Sequence, residues 1–148
     1  MTRTQPVLKV KRLRPNARLP KQATPGSTGL DVFACIDGEG VIALDAQPKL
    51  IATGIAIEVP RGYDVQIRPR SGLSAKGVGV TFGTVDSDYR GEVKITMYLF
   101  NPAARFEVRH GDRIAQMVIG RVADLPLVEV SELSPTERGS GGHGSTGV

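Results

Sequence analysis

Along this chain apolar side chains recur at every second position in short runs, and almost nowhere at the spacing of an amphipathic helix. The clearest run is residues 93–99. Val93, Ile95, Met97 and Leu99 alternate there with Lys94, Thr96 and Tyr98, which predicts a strand with four side chains on its core face. Residues 55–59 put Ile55, Ile57 and Val59 on one side after Gly54. Residues 63–68 do the same with Val65 and Ile67 after a Pro60-Arg61-Gly62 turn. Residues 30–35 and 40–44 read as further strands separated by an Asp37-Gly38 turn, and residues 47–53 lead through Gly54 into 55–59. Residues 6–13 alternate among Lys9, Lys11 and Arg12, as an edge strand does, and residues 14–27 read as loop. Residues 114–119 are apolar on both faces except for Gln116, which falls in register with Ile114 and Val118 and needs a polar partner if buried. Residues 127–130 are expected to close the sheet system.

Helical periodicity is confined to residues 71–76, enough for one or two turns. Strands separated by turn signals about every ten residues predict an all-β fold, a jelly-roll-like sandwich or barrel of short strands. From residue 134 the composition changes to Gly, Ser and Thr, so residues 1–133 are expected to form the β domain and 134–148 a flexible C-terminal arm.

Composition narrows the class. At 148 residues, 40% hydrophobic and 23% charged, the chain can fill one core. No apolar run approaches the roughly 20 residues of a membrane helix, and Met1 to Pro6 lack the apolar centre of a signal peptide, so no membrane partner and a cytoplasmic location are expected. Cys35 is alone, and His110 and His143 are the only histidines, which excludes an internal disulfide and a Cys/His zinc cluster. A Mg²⁺ site built from a carboxylate, water and substrate phosphate stays open. The net charge of +4 suits an anionic partner. Stable nucleic-acid binding is not expected, because aromatics make up only 5%, Trp is absent and the basic residues are dispersed.

Candidate chemistry concentrates in Gly83-Thr84-Val85-Asp86-Ser87-Asp88-Tyr89-Arg90-Gly91-Glu92. Asp and Ser bond their own backbone and Gly tolerates positive φ, so this stretch is a hairpin-like turn that displays carboxylates at the end of a sheet. An Asp-Ser-Asp turn alone is an ordinary surface feature, and other stretches give it weight. Walker A, GxSxG and HExxH patterns are missing. Arg70-Ser71-Gly72 instead sets a guanidinium fork, a hydroxyl and an unhindered N–H where a short helical turn begins, a seat for phosphate. The tail, Arg138 followed by Gly-Ser-Gly-Gly-His-Gly-Ser-Thr-Gly, offers the same chemistry in flexible form.

Taken together, the chain resembles the trimeric dUTP pyrophosphatases (dUTPases) through five motifs in the family's order. They are Gly26-Ser27-Thr28-Gly29-Leu30-Asp31-Val32, residues 69–74, residues 83–93, Gly111-Asp112-Arg113-Ile114-Ala115-Gln116-Met117, and residues 138–147. The resemblance implies hydrolysis of dUTP to dUMP and diphosphate by a homotrimer with shared sites, with Mg²⁺ as cofactor and water attacking the α-phosphorus. It puts Asp86 at the position of the catalytic carboxylate, and Tyr89 at that of the ring that supports deoxyribose and excludes a 2′-OH. Arg70, Ser71, Gly72, Gln116, Arg138, Ser145 and Thr146 match phosphate-contacting positions, and Asp31 matches the carboxylate that reaches the metal through water. Uracil is expected against backbone of a hairpin at about residues 79–85, including Gly83 and Val85. Many members have Asn early in that hairpin where this chain has Val80-Thr81-Phe82, so no base-reading side chain is assigned. Many have Phe where His143 stands, and both rings can stack on the base. The rival readings are the related dCTP deaminases, whose site glutamate is replaced here by Asp86, and a non-catalytic nucleic-acid- or protein-binding member of the fold.

Overall fold

The computed structural model of the protein describes residues 5–144 and 147. In chain order its elements are β1 (Lys9–Arg12), β2 (Leu30–Phe33), β3 (Val41–Ala43), β4 (Lys49–Glu58), β5 (Tyr63–Arg68), α1 (Ser71–Ser74), β6 (Val78–Val80), β7 (Gly83–Val85), β8 (Glu92–Leu99), β9 (Glu107–Arg109) and β10 (Arg113–Arg121). They make two four-stranded antiparallel sheets, ordered β1-β4-β8-β6 and β2-β10-β5-β7, with a β3-β9 ribbon beside them. This is the all-β, jelly-roll-like sandwich that the alternation predicts.

The core lies between the sheets. Ile51, Ile55, Ile57, Ile95 and Met97 from one meet Val32, Val65, Ile114 and Met117 from the other, all buried. Each such side chain contributes about 1.5–3 kcal/mol by leaving water. In β8, Val93, Ile95, Met97 and Leu99 are buried while Lys94 is exposed and Thr96 and Tyr98 are half-buried, as the pattern requires.

β4 runs through Gly54 without ending. Ala52 pairs with Lys94 but Ala56 with Glu92, so two extra residues bulge out and the core parity of Ile51, Ile55 and Ile57 is kept. Gly54 sits at φ +67, and a Cβ there would fall 2.8 Å from Cys35 Sγ and 2.9 Å from Ala17 Cβ. Its N–H donates to Glu92 Oε1 at 2.9 Å, which ties the bulge to the first residue of β8.

Three expectations are corrected. Gln116 does not share a face with Ile114: β10 shifts register between Arg113 and Ala115, so Ile114 and Ala115 are both buried and Gln116 turns away from the core. Residues 127–130 form no strand. After Val122 donates to Gly62 O, the segment meets Pro126, and no edge of the chain's own sheets pairs with it. Leu127 is left 95% exposed and Val128 72%. Finally, the expected hairpins around residues 79–92 are crossovers: β6 and β8 belong to one sheet and β7 to the other. The connections therefore arch across the end of the sandwich.

Candidate active site

One cavity forms where β2, β10 and the end of β5 meet. Antiparallel register sets Gln116 opposite Asp31 on one side and Arg68 on the other. β5 ends at Arg68, just before Pro69, and α1 starts directly after Arg70, whose carbonyl accepts from the N–H groups of Leu73 and Ser74. Leu73 is buried and holds this turn to the core. Ser71 and Gly72, at the first helical positions, have N–H groups with no intrahelical acceptor.

Charge at this cavity is organised by Asp31. Its Oδ1 lies 3.1 Å from Arg70 Nε and its Oδ2 3.4 Å from Arg113 Nη1, and its side chain is only 13% exposed. Arg70 Nη1 also donates to the Arg113 carbonyl at 3.0 Å. Gln116 Nε2 donates to Pro69 O at 3.0 Å, which supplies the polar partner the sequence calls for. Asp31, Arg70, Ser71, Gly72 and Gln116 thus line one cavity of about 310 Å³.

A second cavity, of about 470 Å³, is lined by Gly83, Val85, Asp86 and Tyr89. The Asp86 carbonyl accepts the Tyr89 N–H at 3.1 Å, and Arg90 Nη1 donates to the carbonyls of Ser87 and Tyr89, so the turn is braced from within. The Tyr89 ring folds back over Gly91, where a Cβ would fall 2.4 Å from its hydroxyl. That hydroxyl donates to the Glu92 carbonyl at 3.0 Å, and Tyr89 is 45% exposed. Among the described residues the Asp86 carboxylate has no hydrogen-bond partner, so its lone pairs are available.

Sequence reasoning missed two further parts of this cavity. Lys94 and Leu50 line it, and Leu50 is 66% exposed despite its apolar side chain. Alternation in 93–99 turned Lys94 outward, but nothing local marked what it faces. Glu92 also lines it, with its carboxylate accepting from Gly54 and lying 3.5 Å from Arg14 Nη2.

The two cavities do not merge within one chain. Val85 pairs with Val65 and Gly83 with Ile67, so Asp86 lies level with Asp64, at the opposite end of β5 from Arg70. Gln116 is four residues along β10 from Gly120, the partner of Asp64. Two strand spacings across and four residues along separate Asp86 from Gln116 by ~16 Å between Cα atoms. Arg138 and His143 line neither cavity: Arg138 Nε donates to Gly141 O in a local turn, and His143 adopts φ 51 and is exposed. Ser145 and Thr146 lie outside the described residues.

Asp31 is also the carboxylate to which the sequence assigns a metal-associated role. Among the described residues no three His, Cys, Asp or Glu side chains gather to hold a metal. Mg²⁺ needs only one or two carboxylates when phosphates and waters fill the rest of its shell. Both Asp31 oxygens already face guanidinium groups, which fits contact through a metal-bound water better than direct ligation.

The dUTPase family model matches residues 15–147, from the loop after β1 into the glycine-rich tail. The chain belongs to the dUTPase family. A deoxyuridine 5'-triphosphate nucleotidohydrolase of Hydrogenobaculum sp. is 49% identical over 145 residues, covering 95% of this chain and 98% of that protein. Its counterpart in Nautilia profundicola is 48% identical over 143 residues, with the same coverage. A solved structure of the Staphylococcus bacteriophage 80alpha dUTPase with dUPNHPP superposes with a TM-score of 0.85 at 28% identity, covering 96% of this chain and 99% of that one. In this dUTPase, no helix among the described residues is long and apolar enough to cross a membrane.

Proposed function

We propose that the chain is a cytoplasmic dUTP diphosphatase, hydrolysing dUTP to dUMP and diphosphate and so keeping uracil out of DNA while supplying dUMP. The observation that carries the reading is the sorting of four of the family's five motifs into two built cavities, a phosphate seat around Arg70 and a nucleoside pocket around Asp86 and Tyr89.

In this reading uracil lies against the backbone of Gly83 and Val85, and deoxyribose against the exposed face of Tyr89. The ring is held by Gly91 and the Glu92 carbonyl, so it is a rigid surface against which a 2′-OH has no room. Asp86 takes a proton from the water that attacks the α-phosphorus. Its unshared lone pairs and its place at the pocket wall suit a general base. Arg70, the Ser71 hydroxyl and the Gly72 N–H receive the phosphates, and Gln116 completes the seat. Asp31 would hold Mg²⁺ through water, and the ion would supply charge neutralisation of the triphosphate when bound.

The ~16 Å between Asp86 and Gln116 exceeds what neighbouring groups around one α-phosphate can span, so a site needs the pocket of one copy and the seat of another. We therefore propose a homotrimer with sites shared between chains, closed by residues 134–148 carrying Arg138, His143, Ser145 and Thr146. Leu125, Leu127 and Leu133, at 81%, 95% and 87% exposure, lead toward that arm and give it apolar surface to bury on a neighbouring copy.

The deciding experiment is diphosphate release from dUTP, dTTP, dCTP and UTP, with and without Mg²⁺. Release from dUTP alone, dependent on Mg²⁺, is expected. Ammonia from dCTP would transfer the chain to deamination, and no turnover of any nucleotide would end the enzymatic reading.

A further inference from the structure

The phosphate seat does not stop at Asp31. Lys21 and Asp31 form an antiparallel bridge in which Asp31 N donates to Lys21 O at 2.8 Å and Lys21 N to Asp31 O at 3.2 Å. Residues paired this way present their side chains on the same face of the sheet. Asp31 is in turn opposite Gln116, so Lys21, Asp31 and Gln116 stand in one row across three chain segments. The inner two are in the seat already described.

Lys21 leads into a cavity of about 270 Å³ that also takes in Phe33 and Arg113 and shares Asp31 and Ala23 with the phosphate seat. The two cavities are thus one trench with Asp31 as its divide. On the near side stands Arg70. On the far side stand Arg113, which gives Asp31 one long 3.4 Å contact and is 53% exposed, and Lys21, whose ammonium has no side-chain partner among the described residues. A single carboxylate faces three cations along this trench. The excess positive charge matches an anion longer than one phosphate.

We infer that Lys21, with Arg113 beside it, extends the seat and binds the end of the triphosphate away from the nucleoside. This rests on the dUTP reading above. Lys21 acts as a compact charge at the rim, and the Arg113 guanidinium has donors left after its contact with Asp31. The seat then distinguishes nucleotides by phosphate count, with Arg70 serving all of them and Lys21 serving those that reach past Asp31.

The test is calorimetric binding to the intact protein and its Lys21→Met variant of dUMP, dUDP and a non-hydrolysable dUTP analogue with an α,β-imido bridge. Lys21→Met keeps the stem and removes the charge. The variant is expected to bind the analogue about tenfold more weakly and dUMP unchanged, as loss of one charge-assisted contact implies. Its affinity for the analogue should also fall less steeply with added salt. Equal affinity of both proteins for the analogue, or an equal loss for dUMP, overturns the inference. Failure of the unchanged protein to bind the analogue at all would instead count against the dUTP reading. Arg113→Gln repeats the measurement at an independent position and should give the same ordering of nucleotides; a uniform loss across all three would reduce Arg113 to support of Asp31 and overturn its part in the seat.

Discussion

The Gln116 side chain lies directly over Gly29: a Cβ on Gly29 would fall 2.2 Å from Gln116 Oε1 and 3.1 Å from Gln116 Cβ. The glycine of one motif is therefore the space that the glutamine of another occupies. Gly29→Ala would push the Gln116 amide off its 3.0 Å bond to Pro69 O and into the seat. The strands around it are unchanged, so the expected result is a drop in kcat/KM for dUTP of about 10–100-fold, corresponding to roughly 1.4–2.7 kcal/mol. Thermal unfolding should move little. A variant with normal kcat/KM would mean that Gln116 contributes nothing to the seat.

Asp86→Asn retains the shape of the side chain and removes its basicity. Turnover should fall by about 10²–10⁴ while a non-hydrolysable dUTP analogue still binds. Near-normal turnover would take Asp86 out of the mechanism.

Tyr89 can be tested through the ring and through its support. Tyr89→Ala should weaken dUTP and narrow the gap to UTP, because discrimination is a difference of two affinities. Gly91→Ala keeps the ring but displaces it, since the added methyl would sit 2.4 Å from the hydroxyl. It is expected to narrow the same gap. If neither variant changes the dUTP/UTP ratio, the ring does not read the sugar.

Much of this was legible in the sequence, and the failures have a common cause. Alternation located β8 and the core faces of β4 and β5 because each strand buries one face, and that constraint is local. The strand end and the short helical turn around Arg70 were legible because both are written in one stretch. The Gln116 face was misread because a register shift beside Arg113 depends on the pairing with β2, which no window of β10 contains. Residues 127–130 misled for a related reason: Leu127 and Val128 have the composition of a strand, but a strand needs a partner, and among the described residues no edge strand of this chain pairs with them. The crossovers around β7 escaped because both a hairpin and an arch between sheets use the same turn residues. Lys94 and Leu50 reached the cavity beside Asp86 and Tyr89 through the β4-β8 pairing, again a long-range fact.

The role of the tail separates a lid from an appendage. Residues 134–144 make only local turns such as Gly139 N to Thr136 O, and none of them is buried in their own domain. If they are an appendage, a chain ending at Ser134 should fold, assemble and hydrolyse dUTP normally. The lid reading expects that chain to assemble, because β1 to β10 and the apolar segment before Ser134 are intact, but to lose much of its turnover as Arg138, Ser145 and Thr146 no longer clamp phosphate and exclude water. Arg138→Ala alone should reproduce part of the loss. Extended chain reaches at most about 3.3–3.6 Å per residue, enough for residues 134–148 to cross to a neighbouring copy. Mixing Asp86→Asn chains with chains ending at Ser134 should therefore recover some activity, since a mixed trimer can join an intact Asp86 from one chain to an intact tail from another. Size-exclusion with differently tagged chains confirms mixing, and diphosphate release reads recovery. Mixed trimers that stay inactive would show that each tail serves its own subunit or that it is no lid.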